Sequence, residues 1–145
     1  MDIHALVVDD SGIMRKMVMR SLRERKLANF PFTEAADGSD ALENFGQDAI
    51  QMCFVDWNMP NMNGVDFVRA VREQESNLFP VVMVTTESTM GKVEEALDDA
   101  GADCFIVKPF TTEVLQKKLT PLFDALAEAQ ASGGGFFGKL AEKFA

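Results

Sequence analysis

The sequence predicts an α/β fold in which a five-stranded parallel sheet carries helices on both faces. Three observations lead there. Five short apolar runs, rich in β-branched residues, alternate with five stretches of helical periodicity, an order that calls for parallel strands joined by helical crossovers. Four of the five runs end in a charged or hydroxyl-bearing residue. The length of 145 residues, 47% hydrophobic and 26% charged, suits one domain with a sizeable core and a short appendage.

The first apolar run, residues 3–8, ends in Asp9-Asp10. Ser11 follows as a helix N-cap, and Met14, Met17, Val18, Ser21 and Leu22 continue at helical spacing. Residues 30–36 give a weak second strand. A short helix over 38–45 then places Ala41, Leu42 and Phe45 on one side. Residues 52–55 form a strong buried strand that ends at Asp56. Val65, Val68, Ala70 and Val71 mark the third helix. Residues 81–84 are strand-like and lead into Thr85-Thr86; Val93, Ala96 and Leu97 supply the fourth helical period. Residues 105–107 close the alternation just before Lys108-Pro109, and Val114, Leu115, Leu119, Leu122 and Leu126 form the last helix. Pro121 lies inside that period and is expected to kink or split the helix near Thr120. The domain is read as residues 1–130, followed by an ASGGG linker over 131–135 and an amphipathic segment over 136–145. Phe136, Phe137, Leu140 and Phe144 share one helical face of that segment, opposite Lys139, Glu142 and Lys143. Ten residues are too few for a stable isolated helix, so this face is expected to dock on the domain's output face, a partner or a membrane surface, the last least favoured.

In a parallel α/β sheet ligands sit beyond the carboxyl ends of the strands. Here those ends carry Asp9 and Asp10, Asp56, Thr85 and Thr86, and Lys108, while the second strand offers nothing comparable. Taken singly, an Asp at a strand end is usually a cap, a Thr reflects β-propensity, and a Lys before Pro is a solvated turn. Their joint placement on one rim is not something core packing requires. Three carboxylates brought together repel unless a hard cation neutralises them, and magnesium suits an all-oxygen set. Asp56 has the chemistry of a carboxylate nucleophile that forms an acyl phosphate. Lys108 would neutralise phosphoryl oxygens, and Thr85 would donate a hydrogen bond to one of them.

Composition excludes other classes. A net charge of −9 and a pI near 4.5 argue against binding to nucleic acid. Cys53 and Cys104 each sit in an apolar run and are expected to be buried thiols, with no zinc-ligand spacing. Asp2, Asp9 and Asp10 interrupt the start, so no signal peptide is expected, and no apolar run has the length of a membrane span. Cytoplasmic location is the default.

Asp9-Asp10, Asp56, Thr85 and Lys108-Pro109-Phe110 together resemble the response-regulator receiver family. The stretches VDDSGIMRKMV, EAADGSDAL, DWNMPNMNG and AGADCFIVKPF are similar to those of its single-domain chemotaxis regulators, and the resemblance covers residues 1–126. It implies a doubly wound, flavodoxin-like (βα)5 fold with strand order 2-1-3-4-5. It implies that Asp56 is the phosphoacceptor. Asp9 or Asp10, with Asp56 and the Asn58 backbone carbonyl, would hold Mg2+. Thr85 would be the switch hydroxyl, ranked ahead of Thr86, and Lys108 would contact the phosphoryl group. Asn58 and Glu87 occupy the two positions that tune hydrolysis and imply a short-lived phosphoryl group. Relative to the chemotaxis members, the spacing is one residue shorter from Asp56 to Thr85 and one longer from Thr85 to Lys108. Phe105 occupies the switch-aromatic position where those members carry tyrosine, and this chain has no tyrosine.

The resemblance implies a sensor histidine kinase as phosphodonor, a flagellar motor switch or other output protein as partner, and a possible phosphatase. The protein would not turn over other substrates. Two alternatives accompany this reading. One is a phosphorelay or phosphate-sink receiver that exchanges its phosphoryl group with a histidine phosphotransfer domain. The other is an Asp-nucleophile phosphohydrolase of the haloacid dehalogenase type, which wants a second Asp at the position of Asn58 and room for a cap. A flavin-binding flavodoxin is disfavoured because no hydroxyl- and glycine-rich loop follows the first strand.

Overall fold

A computed structural model describes residues 2–26, 28–45, 50–74, 79–86 and 89–132. Strands and helices alternate: β1 (Ala5–Val8), α1 (Gly12–Glu24), β2 (Phe32–Ala35), α2 (Gly38–Phe45), β3 (Met52–Val55), α3 (Gly64–Glu73), β4 (Val81–Thr85), α4 (Met90–Glu94), β5 (Cys104–Val107) and α5 (Thr112–Ser132). All five strands are parallel, in the order β2-β1-β3-β4-β5. The α/β, five-stranded parallel, flavodoxin-like fold expected from the sequence is therefore the fold observed.

The inner strands explain their own position. Every residue of β1, β3 and β4 is buried, as continuous apolar runs must be when helices cover both faces. The edge strand β2 reads Phe-Thr-Glu-Ala and buries only Ala35. Strand alternation divides the core in two. Ala5, Val7, Met52, Phe54, Val82, Val84 and Ile106 meet α1 and α5 through Val18, Leu22, Leu115, Leu119 and Leu122. Leu6, Val8, Cys53, Val55, Met83 and Phe105 meet the opposite layer through Ala41, Val65, Phe67, Val68, Val71 and Ala96. Cys53 is fully buried as expected, but Cys104 is only half-buried, because β5 is an edge strand with one flank uncovered.

Two local departures bear on the site. The helix begun by α4 widens into a π-helical segment, Glu95–Ala100, and Gly101 closes it at φ 95°. A π turn takes up more residues than an α turn, which gives the longer Thr85–Lys108 spacing a structural place. Pro121 does not split the last helix: α5 runs unbroken from Thr112 to Ser132. Pro121 removes one helical N–H at a cost of about 3 kcal/mol, whereas burying a single large apolar side chain contributes roughly 1.5–3 kcal/mol. Leu115, Leu119, Leu122, Phe123 and Leu126 are buried on both sides of the proline and hold the two halves in one line. The helix extends two residues into the stretch read as linker; the remainder of that stretch and the 136–145 segment lie outside the described residues. Among the described residues no helix is long and apolar enough to cross a membrane.

Candidate functional site

The carboxyl ends of β1, β3, β4 and β5 converge. Three of these strands continue one residue further by a backbone hydrogen bond to a neighbour, while β4 ends at Thr85 itself: Asp9 N–H donates to the Ala35 carbonyl (3.1 Å), Asp56 N–H to Val8 (2.9 Å) and Lys108 N–H to Thr85 (2.8 Å). The polar side chains therefore leave the sheet at nearly the same level. Carboxylate oxygens of Asp9, Asp10 and Asp56 lie within 4.8 Å of one another. Lys108 Nζ sits 3.1 Å from Asp9 Oδ2 and 3.6 Å from Asp56 Oδ1. The buried Thr85 hydroxyl donates to the Asp56 carboxylate, while Thr86 is exposed. Trp57 N–H donates to Asp56 Oδ1 at 2.9 Å.

Close approach at the next turn fixes Asp56. Gly64, the first residue of α3, donates its N–H to the Trp57 carbonyl at 2.9 Å, and a Cβ on Gly64 would lie 1.9 Å from the Asp56 carbonyl oxygen. Only glycine permits that approach. Asn63 caps α3 by accepting from Asp66 N–H, so the helix start and the acidic loop are built as one unit.

The electrostatics are those of an overloaded pocket. Burial pushes the Asp56 carboxyl above its ordinary range; Lys108 opposes this, Asp9 adds to it, and the hydrogen bonds from Thr85 and Trp57 oppose it. Three carboxylates against one ammonium leave a surplus of negative charge. The donor set is hard oxygen, mixed buried and exposed, which fits a magnesium-sized cation that keeps some of its water.

Asp9, Asp10, Asp56, Thr85 and Lys108 are thus brought together as the sequence predicts. Asn58 is exposed in the loop after β3, two residues beyond Asp56. Glu87 lies outside the described residues. Phe105 is buried on β5, in the layer that contains Met83 and Ala96, and its carbonyl accepts from Lys118 Nζ at 2.8 Å. Sequence reasoning missed Arg15. Its guanidinium donates to the Asp9 carbonyl and, through Nε, to Glu34 Oε1 at 2.9 Å. The second strand therefore does reach the rim, through Glu34. An arginine in the first turn of a helix carries no signal of this, because its partners are a backbone carbonyl and a residue 19 positions away.

A doubly wound parallel sheet with an acidic pocket, a hydroxyl and a lysine at its carboxyl rim is the arrangement of a receiver-type signalling domain. Residues 5–120 match the family model described as the response regulator receiver domain, and the chain belongs to that family. It is 39% identical over 120 residues to the chemotaxis protein CheY of Pseudomonas aeruginosa, covering 82% of this chain and 94% of that one. It is 41% identical over 116 residues to CheY1 of Helicobacter pylori, covering 79% and 91%. The structure of Vibrio cholerae chemotaxis protein CheY4 superposes with a TM-score of 0.73 at 36% identity, over 83% of this chain and 98% of that one.

Proposed function

We propose that this protein is a single-domain response regulator of a chemotaxis-type two-component system, phosphorylated on Asp56 by a histidine kinase. The observation that carries the reading is the convergence on one Asp56 carboxylate of the Lys108 ammonium, the Thr85 hydroxyl and the carboxylates of Asp9 and Asp10. An Asp56 oxygen forms a bond to phosphorus as the bond from phosphorus to the donor nitrogen breaks, and the donor histidine leaves with the electron pair. Lys108 neutralises a phosphoryl oxygen, and Thr85 turns its hydroxyl from the carboxylate to the new group. Bound at Asp9 or Asp10 with Asp56 and the Asn58 carbonyl, Mg2+ would supply charge neutralisation. Asn58 and Glu87 then set how soon water reaches the phosphoryl group.

Signalling follows as a population shift: contacts made only to the phosphoryl group favour one position of Thr85 and Phe105 over another. The partners this reading requires are a sensor kinase and an output protein such as the flagellar motor switch; a phosphatase would be an optional addition. Such exchanges belong in the cytoplasm, and no external substrate is turned over. The relay alternative differs in readout, with rapid reversible transfer to a histidine phosphotransfer domain and no phosphorylation-dependent output binding. The test is intact-protein mass after incubation with acetyl phosphate. A phosphate adduct that needs Mg2+ and is lost in Asp56→Asn is expected. An adduct retained in that variant would place the chemistry on another residue and refute the assignment.

A further inference from the structure

Asp10 supplies one of the three carboxylates of the acidic pocket, yet it is exposed and sits at the turn between β1 and α1. Asp9 is held from three directions: its N–H on the Ala35 carbonyl, Oδ1 accepting from Ser11 N–H at 2.9 Å, and Oδ2 accepting from Lys108. The Ser11 bond closes an Asx turn over the peptide that leads from Asp9 to Asp10, but it leaves the carbonyl of that peptide without a partner of its own. Arg15 supplies one. Its Nη1 donates to the Asp9 carbonyl, which belongs to that peptide plane. Because the peptide is planar, orienting the carbonyl orients the Asp10 Cα from which the carboxylate departs.

The guanidinium is itself held. Nε donates to Glu34 Oε1 at 2.9 Å, so the edge strand anchors Arg15 while Arg15 anchors the turn. The folded-back guanidinium packs against Gly12, where a Cβ would lie 3.4 Å from Nη2. The arrangement uses what distinguishes arginine from lysine: a planar fork that serves two acceptors at once. Glu34 also cancels the guanidinium charge beside a pocket meant for a cation.

We propose that Arg15, seated on Glu34, is a positioning residue for the divalent-cation site, acting through the Asp9–Asp10 peptide. This rests on the reading of the acidic cluster as a Mg2+ site. Two effects of Arg15 oppose each other: as a positive charge it would weaken Mg2+ binding, and as a clamp it would strengthen it. The variants separate them. Isothermal titration of the full chain with MgCl2 compares wild type with Arg15→Ala, Arg15→Lys, Glu34→Ala and Glu34→Gln, with thermal melts to establish that each is folded. Loss of an outer-shell partner of a metal site typically weakens affinity about 10- to 100-fold, and both Arg15 variants are expected at the low end of that range. Lysine does not rescue, because it keeps the charge and loses the fork. Glu34→Ala weakens binding in the same direction, and Glu34→Gln restores it, because the amide oxygen still accepts from Nε. Tighter binding in Arg15→Ala with wild-type binding in Arg15→Lys would reduce Arg15 to a charge and overturn the proposal. Unchanged binding in all four would do the same while leaving the metal site standing. No saturable Mg2+ binding by wild type would overturn the metal site, and this role with it.

Discussion

Asp56→Asn should make the protein more stable at neutral pH. Each pair of carboxylates at the 4.8 Å limit of the cluster repels by about 3.5 kcal/mol at an effective dielectric constant of about 20. Lys108, 3.6 Å from Asp56, attracts it by about 4.6 kcal/mol on the same scale. The substitution removes these repulsions and the cost of burying the charge, which is the largest cause of the raised Asp56 pKa, against the loss of the attraction to Lys108, which outweighs the repulsion from Asp9. Because Asp10 is exposed and its share is screened, the net gain is about 1–2 kcal/mol, or roughly 3–6 °C in Tm for a chain of this size. The pH dependence fixes the origin. Burial and Asp9 raise the Asp56 pKa on folding, so the native state holds that proton more tightly than the unfolded chain. Wild-type stability then falls as pH rises between the ordinary carboxylate pKa and the raised native one. The advantage of Asp56→Asn should be full above that window and vanish below it. Mg2+ relieves the same repulsion and should raise the Tm of wild type more than that of the variant. Calorimetric melts from about pH 3 to 8, with and without MgCl2, measure all of this. A variant no more stable than wild type at pH 7 without divalent cations would refute the overloaded-pocket argument.

Gly64→Ala forces a Cβ to within 1.9 Å of the Asp56 carbonyl, and urea denaturation should show a loss of more than about 3 kcal/mol or no folded protein. Arg72 donates to the Phe79 and Gly101 carbonyls and to Asp103 at 2.7 Å, so Arg72→Ala should cost about 3 kcal/mol in the same assay by taking the donor from two carbonyls and leaving the half-buried Asp103 carboxylate with the Val81 N–H but without its cation. Lys108→Ala should tighten Mg2+ binding several-fold by removing the one ammonium in the pocket, yet slow phosphorylation by acetyl phosphate; titration calorimetry and mass kinetics read the two separately. Deleting residues 136–145 should alter binding to the output partner and leave phosphorylation of Asp56 intact; a truncated chain that binds as the full one does would exclude a docking role for the tail.

The alternation of parallel strands with helices and the polar rim were legible because both follow from short-range pattern, whereas the strand order came only from the family resemblance. Buried parallel strands must be continuous apolar runs, and the residue at which each run stops is visible in the sequence. Thr85 could be preferred to Thr86 because the apolar run of β4 leads directly into it, and Thr85 is the one that meets Asp56. What was not legible depends on tertiary balance. Pro121 has a local preference that breaks helices, and only the buried stripe on each side of it reveals that packing outweighs that preference. Cys104 has an apolar neighbourhood in sequence, but its exposure depends on β5 being at the edge. Arg15 and Glu34 meet because β2 pairs beside β1, a fact that no window of local sequence contains.

The absence of a tyrosine gives Phe105 a particular consequence on the proposed reading. Thr85 pairs across the sheet with Val107, and Met83 with Phe105, so Thr85 and Phe105 are two residues apart in register. The Thr85 carbonyl also accepts from Lys108 N–H, so any displacement of Thr85 toward a phosphoryl group is felt by β5 through its backbone. A tyrosine at this position would have a hydroxyl whose hydrogen bond could favour one state. Phe105 has none, and its place is decided by packing against the layer containing Met83 and Ala96. The inward state is then favoured by apolar burial alone, and the coupling is set by the space beside Thr85 rather than by a partner for a hydroxyl. Ala96 is fully buried in that layer, so Ala96→Val would crowd the space available to Phe105 and should weaken phosphorylation-dependent partner binding. Phe105→Tyr should change it only if an acceptor lies within reach of the new hydroxyl in one of the two states. Partner affinity measured with and without phosphorylation decides between these, and an unchanged ratio in Ala96→Val would mean that Phe105 is not the element that carries the signal.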